Sequence, residues 1–282
     1  MMNSINSVCW DITSKCNDKC QFCFRDSNSI DLSLDDNFLI LNKFIDYGIE
    51  KITFTGGEAC LYNGLWELIQ HAKYHKIYTN LVTNALSVND AFYSNMEKYL
   101  DCITLSLDGA DPLIQKKMTR NINHFDNVLN ILSRINGNNI KIDKKINTLV
   151  TKVNFHNILD ILPIIYKNKI NVWKLFQFIA PRYCSASNKN YFSISDSNFA
   201  KLKNEIILNN TEMVKIIFQA TQDLKTSYFV VSSNGNVRYD GNNDDTYIGN
   251  VLTDDINNIF KNINFNFSSY MERKLLLKTN VA

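Results

Sequence analysis

No stretch of this chain comes near the ~20 consecutive apolar residues needed to cross a bilayer, although 45% of its 282 residues are hydrophobic. A membrane span is therefore not expected, whereas a buried core is. Surplus charge is lacking too. The net charge is +2, which gives no basic face for nucleic acid. Glycine (nine) and proline (three) are scarce while asparagine, isoleucine and lysine abound, which reads as base-composition bias rather than function. There are no repeats, and no low-complexity tract beyond asparagine richness. Met1 to Ser7 is polar, with no signal-peptide core and no amphipathic anchor. Seven cysteines is an odd number, and Cys9, Cys60, Cys102 and Cys184 stand singly, which argues against a disulfide framework. Cys60, Cys102 and Cys184 read as small buried hydrophobes. Reduced thiols point to the cytoplasm.

What is present is concentrated near the N-terminus, in Lys15-Cys16-Asn17-Asp18-Lys19-Cys20-Gln21-Phe22-Cys23-Phe24. Gaps of three and two residues let one loop wrap a cubane and bring soft thiolates to three of its irons. The fourth iron is left without a protein ligand and stays open to a cofactor or substrate. The other reading is zinc. Structural zinc closes four ligands, however, and the nearest histidine, His71, is far downstream. One helix length further on, the β-branched and aromatic run Lys51-Ile52-Thr53-Phe54-Thr55 meets Gly56-Gly57-Glu58. Glycines let a backbone approach a ligand closely, and Glu58 suits a cationic amine.

The cysteine loop, with an aromatic before its last cysteine, and the Gly-Gly-Glu that follows resemble the radical S-adenosylmethionine (SAM) superfamily. The resemblance implies a [4Fe–4S] cluster on Cys16, Cys20 and Cys23. It also implies SAM at the open iron, with Gly56, Gly57 and Glu58 meeting its amino group. Asn84 closes the third strand and Ser106-Leu107-Asp108-Gly109 the fourth, so Asn84, Ser106 and Asp108 fall at the rim where SAM would lie. Alternation puts Ser106 and Asp108 on one face. Arg120 suits bidentate pairing with the SAM carboxylate, the other reading being a solvated surface arginine.

Strand and helix patterns alternate. Strands are expected at Ser7–Ser14, Lys51–Thr55, Tyr78–Asn84, Cys102–Leu107, Lys144–Val150 and Val172–Ile179. Helices are expected at Asp35–Tyr47, Gly64–His75, Asp90–Lys98, Pro112–Met118, Phe125–Ile135 and Ile158–Tyr166. Six such units form a parallel sheet too short for a closed eight-stranded barrel. The fold expected is α/β, a partial (βα)6 TIM-type barrel over residues 1–180. A C-terminal α+β extension over 181–282 would cover its open, substrate side. In the extension, Ser185–Asn190 reads as a polar loop, Phe199–Leu208 as a helix, Val214–Ala220 as a strand, and Ser233-Asn234-Gly235 as a hairpin turn.

Lys145 and Asn147 share a face of the fifth strand, and Lys174 sits in the apolar sixth. A lysine there is costly without an anion or an opening to water. The two lysines either converge on a phosphate or snorkel from strand ends. These segments, with Asn123-His124 and Gln222 to Tyr228, resemble the viperin branch of the superfamily. That resemblance implies an enzyme that cleaves SAM reductively to a 5′-deoxyadenosyl radical and dehydrates a nucleoside triphosphate. The product would be a 3′-deoxy-3′,4′-didehydro nucleotide, a chain terminator used in antiviral or antiphage defence. It further implies Lys145, Asn147, Lys174 and Arg273 at the nucleotide, and an electron donor such as flavodoxin or ferredoxin, with neither nucleic acid nor membrane as partner. Departures are Cys9 and Asp11 where the branch carries asparagine and histidine, Ala59 for a proline, and Ala85 for a glycine. His124 and His156 are candidate proton donors only by residue type, each as readily structural or exposed. Two other readings remain: a radical SAM enzyme acting on a peptide or other small molecule, disfavoured because no cysteine follows Cys184, and a non-catalytic iron–sulfur sensor.

Overall fold

The structure is a computed structural model that describes residues 5–180, 183–224, 229–240 and 245–261. The β-branched and aromatic runs become strands β1 (Ser7–Asp11), β2 (Lys51–Thr55), β3 (Tyr78–Thr83), β4 (Cys102–Ser106), β5 (Asp143–Val150), β6 (Val172–Gln177) and β7 (Lys215–Gln219). Three more follow: β8 (Phe229–Val231), β9 (Asn236–Asp240) and β10 (Asp245–Asn250). All belong to one sheet in the order β10-β9-β8-β1-β2-β3-β4-β5-β6-β7. Pairing is parallel from β8 through β1 to β7, and antiparallel only at β8–β9 and β9–β10. Helices α1 (Leu34–Tyr47), α2 (Leu65–Tyr74), α3 (Asp90–Tyr99), α4 (Pro112–Lys117), α5 (His124–Gly137) and α6 (Leu162–Lys167) link the strands of a partial (βα)6 TIM-type barrel. Beyond β6 come α7 (Tyr183–Ser187), α8 (Lys189–Phe192), α9 (Asp196–Asn209), α10 (Thr221–Leu224) and α11 (Ile256–Lys261).

Local chemistry sets the boundaries. Ser33 caps α1 by accepting from the Asp36 amide, and Gly48 ends it at φ +89°. Asn89 and Asp111 cap α3 and α4 in the same way. Trp10 of β1 is fully buried edge-on against Phe44 of α1, 5.4 Å between ring centres, and beside Phe54 of β2. Each such side chain contributes ~1.5–3 kcal/mol by burial. This packing fixes β1 against β2, the two strands that lead into the site.

Several expectations need correction. β1 stops at Asp11 because the chain beyond it leaves the strand to meet the glycine turn after β2. The helix expected over Ile158–Tyr166 is two 3₁₀ turns, Phe155–Asn157 and Leu159–Ile161, ahead of α6, which carries Pro163 in its first turn. The polar loop expected at Ser185–Asn190 lies instead within α7 and α8. Cys184 is exposed and Cys60 only part-buried, against the expectation for both, while Cys102 is buried. After α9 the chain adds strands to both edges of the barrel sheet, β7 beside β6 and β8 beside β1. No helix of the described residues is long and apolar enough to cross a membrane.

Candidate active site

The cysteine loop leaves β1 alongside the turn after β2, and backbone bonds join the two. Gly57 N–H donates to Thr13 O at 2.8 Å and Glu58 N–H to Lys15 O at 2.7 Å. A Cβ on Gly56 would overlap the Thr13 carbonyl, and one on Gly57 the Lys15 carbonyl. The glycines therefore serve first to let the base of the cysteine loop lie against the strand end. Asp31 fixes that base, accepting from Thr13 Oγ1 at 2.5 Å and Ser14 N at 2.6 Å. Burial opposes its charge, but those bonds hold its carboxyl below the usual range. Arg25 donates to the Ser14 carbonyl from the far side of the loop.

The thiols sit mostly among donors, the exception being the Asp18 carboxylate, which accepts from the Cys20 thiol at 3.2 Å. The Asp18 amide points at Cys16 Sγ and the Arg25 amide at Cys23 Sγ, both at 3.4 Å. Asn84 Nδ2 approaches Cys16 Sγ at 3.8 Å, and an Arg120 guanidinium nitrogen approaches Cys20 Sγ at 3.7 Å. Burial raises the pKa of Cys16 and of Cys20, so both are neutral thiols at pH 7 until a metal displaces the proton. Among the described residues no three His, Cys, Asp or Glu side chains close on a single ion. A cubane does not ask for that, since each thiolate meets a separate iron. N–H groups directed at cysteine sulfurs are what such a cluster uses to tune its potential. The donor set fits a [4Fe–4S] cluster.

Around the thiols, several residues expected at SAM are engaged with protein. Glu58 is buried, and its carboxylate accepts from Thr83 Oγ1 at 2.7 Å, the Asn84 amide at 2.7 Å and the Cys60 amide at 3.1 Å. Burial outweighs those bonds and raises its pKa. Asn84 donates to Asn17 Oδ1 at 2.8 Å, bracing the loop. Asp108 is past the end of β4 and fully buried. One of its oxygens accepts from the Leu149 amide, and the other takes Arg120 Nε and a terminal nitrogen, all at 2.7 Å. The bidentate fork of Arg120, expected on the SAM carboxylate, is thus spent on Asp108, and the guanidinium also lies 4.8 Å from the Phe22 ring centre. Burial works against the Arg120 charge, but Asp108 and the Cys20 sulfur more than restore it. Ser106 ends β4 paired with Asn147. His124 is buried with both ring nitrogens unpartnered, and burial drops its pKa well below the usual value, so it is a neutral core residue.

A second group lies in the barrel. Burial and the Asp11 charge raise Cys9 of β1 to about 12, while Arg238, Lys174 and Lys145 act the other way. The charges that act on Cys9 thus come from β1, β5, β6 and β9. Asn147 and Lys174 are cross-strand neighbours, and Asn147 Oδ1 is buried without a hydrogen-bond partner. Lys174 Nζ lies 4.5 Å from the Phe176 ring centre. Arg238 pairs with Asp11 at 3.2 Å. Both line a cavity of about 60 Å³ beside Gly56 and Gly57. Sequence reading missed Arg238, although a charged residue on the second strand of an Asn-Gly hairpin, between Val237 and Tyr239, was a usable signal. Arg273 lies outside the described residues, as does much of the Gln222 to Tyr228 stretch.

These features have counterparts. The Radical SAM superfamily profile matches residues 10–162, more than half of the chain. The S-adenosylmethionine-dependent nucleotide dehydratase of Flammeovirga pacifica is 27% identical over 96% of this chain and 95% of its own length. The GTP 3′,8-cyclase of Clostridium perfringens is 31% identical over 57% of this chain and 52% of its own length. Among solved structures, Streptococcus suis SuiB bound to SAM superposes with a TM-score of 0.70 at 18% identity, over 90% of this chain and 65% of SuiB. Native anSMEcpe with bound AdoMet and a peptide gives 0.69 at 18% identity, over 96% of this chain and 83% of that one. At those identities the likeness is one of fold. The chain is an enzyme that belongs to the radical SAM superfamily, with a [4Fe–4S] cluster and S-adenosylmethionine as its cofactors.

Proposed function

We propose that the enzyme removes the C4′ hydrogen and 3′-hydroxyl of a nucleoside triphosphate, yielding a 3′-deoxy-3′,4′-didehydro nucleotide that terminates polymerase chains in antiviral or antiphage defence. The observation that carries this reading is the interior of the barrel. There the charges of Arg238, Lys174 and Lys145 all act on the Cys9 thiol, and Asn147, cross-strand neighbour of Lys174, keeps a buried acceptor with no partner. A buried acceptor left unpaired is unfavourable; a substrate hydroxyl would satisfy it. Cations held among apolar strands suit a triphosphate. The dehydratase from Flammeovirga pacifica, similar along nearly its whole length, supports the same substrate class.

Cys16, Cys20 and Cys23 would hold the cluster, and the Gly56–Gly57 edge would border SAM. When bound, the pair supplies reductive cleavage of a sulfonium and abstraction of a substrate hydrogen. The remaining work belongs to the chain. Arg120, Asn84 and the loop amides hold the sulfurs, Lys145 and Lys174 hold phosphate, and the barrel wall excludes water. Asp11 is the point of divergence, since a carboxylate repels phosphate. Paired with Arg238 beside the glycine edge, it suits the sugar or base end of the substrate instead. A small electron-transfer protein such as flavodoxin or ferredoxin is the proposed donor, and the cytoplasm the proposed compartment.

The test is anaerobic reconstitution with SAM, reductant and each of the four ribonucleoside triphosphates, weighing products by mass spectrometry. Nucleotide-dependent 5′-deoxyadenosine and a product lighter by one water are expected. Formation stimulated by peptide and indifferent to nucleotide would overturn the reading.

A further inference from the structure

The cysteine loop has a base and a tip. Its base is bonded to Gly57 and Glu58. Its tip meets solvent: Lys19 and Gln21, on either side of Cys20, are both exposed. Two other segments close on that tip. The Gln21 amide donates to Thr119 Oγ1 at 2.9 Å, in the turn between α4 and α5. The Gln21 carbonyl accepts from Asn188 Nδ2 at 3.3 Å, between α7 and α8. Phe22 packs edge-on against Phe192 of α8 and lies against the Arg120 guanidinium. Residues 15–24, 112–123 and 184–192 thus meet around the loop tip.

That face carries charge of one sign. The three segments hold six basic residues, Lys15, Lys19, Lys116, Lys117, Arg120 and Lys189, and one acid, Asp18. Over the whole chain the two signs nearly balance, 30 to 28. Asp18 is buried beside the Cys20 thiol, and Arg120 is spent on Asp108. The lysines are all exposed. Among the described residues, Lys19, Lys116, Lys117 and Lys189 form no ion pair. Three carboxylates stand just beyond the segments: Asp26, Asp111 and Asp126. Asp26 accepts from the Asn28 amide and Asp111 caps α4. Between the lysines, Ile122 is 58% exposed and Tyr191 48%. A face of one sign with apolar side chains set in it steers a partner of the opposite sign.

We propose that this face docks a small one-electron carrier whose own surface is acidic. The proposal rests on the electron-donor reading above and adds its place. Lys19, Lys116, Lys117 and Lys189 ring Gln21, and Ile122 and Tyr191 supply apolar contact. Redox encounters are small and transient, so complementary charge governs their rate more than their affinity. In the step itself the carrier is oxidised by one electron and the cluster is reduced by one, from [4Fe–4S]²⁺ to [4Fe–4S]⁺. A carrier at the tip leaves the base of the loop, and the glycine edge against it, free for SAM.

The experiment uses the reconstituted holoenzyme with SAM and without nucleotide. The carriers are a reduced acidic flavodoxin and a reduced acidic ferredoxin, with photoexcited 5-deazariboflavin as an uncharged reductant. Cluster reduction is followed by absorbance, and binding of each oxidised carrier by calorimetry. The proteins are wild type, the double variant Lys116→Glu with Lys117→Glu, and the double variant Lys116→Arg with Lys117→Arg, each checked for unchanged iron content. Carrier-driven reduction of the wild type is expected to slow as salt rises. The glutamate pair should slow it, and weaken carrier binding, by about tenfold or more. The arginine pair should retain both, and deazariboflavin should reduce all three proteins equally. Carrier-driven reduction indifferent to the glutamate pair overturns the surface and leaves the electron-donor reading standing. Failure of both carriers to reduce a cluster that deazariboflavin reduces overturns the two together.

Discussion

Arg120 and Asp108 set the terms at the residue scale. Their side chains are 10% and 1% exposed, so removing the carboxylate strands a buried cation, a loss of ~3–5 kcal/mol in comparable pairs. Asp108→Ala should lower the urea midpoint accordingly and reduce iron loading through Cys20. An unchanged midpoint would contradict that. Lys145 gives a pH test. It faces Lys51 on β2, Cys102 on β4 and Cys9 on β1. With its pKa lowered to about 8 by burial and then by Lys51, it is charged below that pH and neutral above. Nucleotide affinity should therefore fall as pH rises through about 8. Lys145→Ala should flatten this dependence and weaken binding by ~1.5–3 kcal/mol, the worth of a charged hydrogen bond. A pH-independent wild type would remove Lys145 from the phosphate. The three cysteines were legible because cluster geometry dictates their spacing. The Arg120–Asp108 pair was not, since an arginine near a rim suits a ligand or a neighbour equally until the chain path is known.

At the scale of elements, the glycine turn and the cysteine loop form one construction. Gly56→Ala and Gly57→Ala each drive a methyl into a backbone carbonyl of the loop base, and neither Thr13 nor Lys15 can retreat without breaking its bond to Gly57 or Glu58. Both variants should lose bound iron, not merely SAM affinity. Full iron content in the folded variants would show that the loop tolerates the shift. The strands were readable to within a few residues because alternation and β-branching mark them directly. Where two signals compete, the reading failed. Pro163 delays α6, and the polar run near Asn188 folds as short helices because their contacts lie far away in sequence, Ser185 N–H donating to Cys23 O and Asn188 Nδ2 to Gln21 O. Ala85 illustrates a legible departure. It holds φ +63°, a conformation that favours glycine, at ~1–2 kcal/mol of backbone strain.

Across the whole molecule, one sheet carries different side-chain chemistry at different heights. The C-terminal edge presents thiols and the glycine turn, and the interior presents amide and ammonium groups. The partial barrel was inferable from the alternation of strand and helix. The attachment of β8 beside β1 was not, because it joins residues more than two hundred positions apart. That attachment carries the β8–β9 hairpin and so brings Arg238 to Asp11. All of this presupposes a cluster with one iron free for SAM. Electron paramagnetic resonance of the anaerobically reconstituted, reduced protein tests it most directly. A [4Fe–4S]⁺ signal that changes on adding SAM and vanishes in Cys20→Ala is expected. A signal indifferent to SAM, or a protein that takes up zinc and no iron, would contradict it.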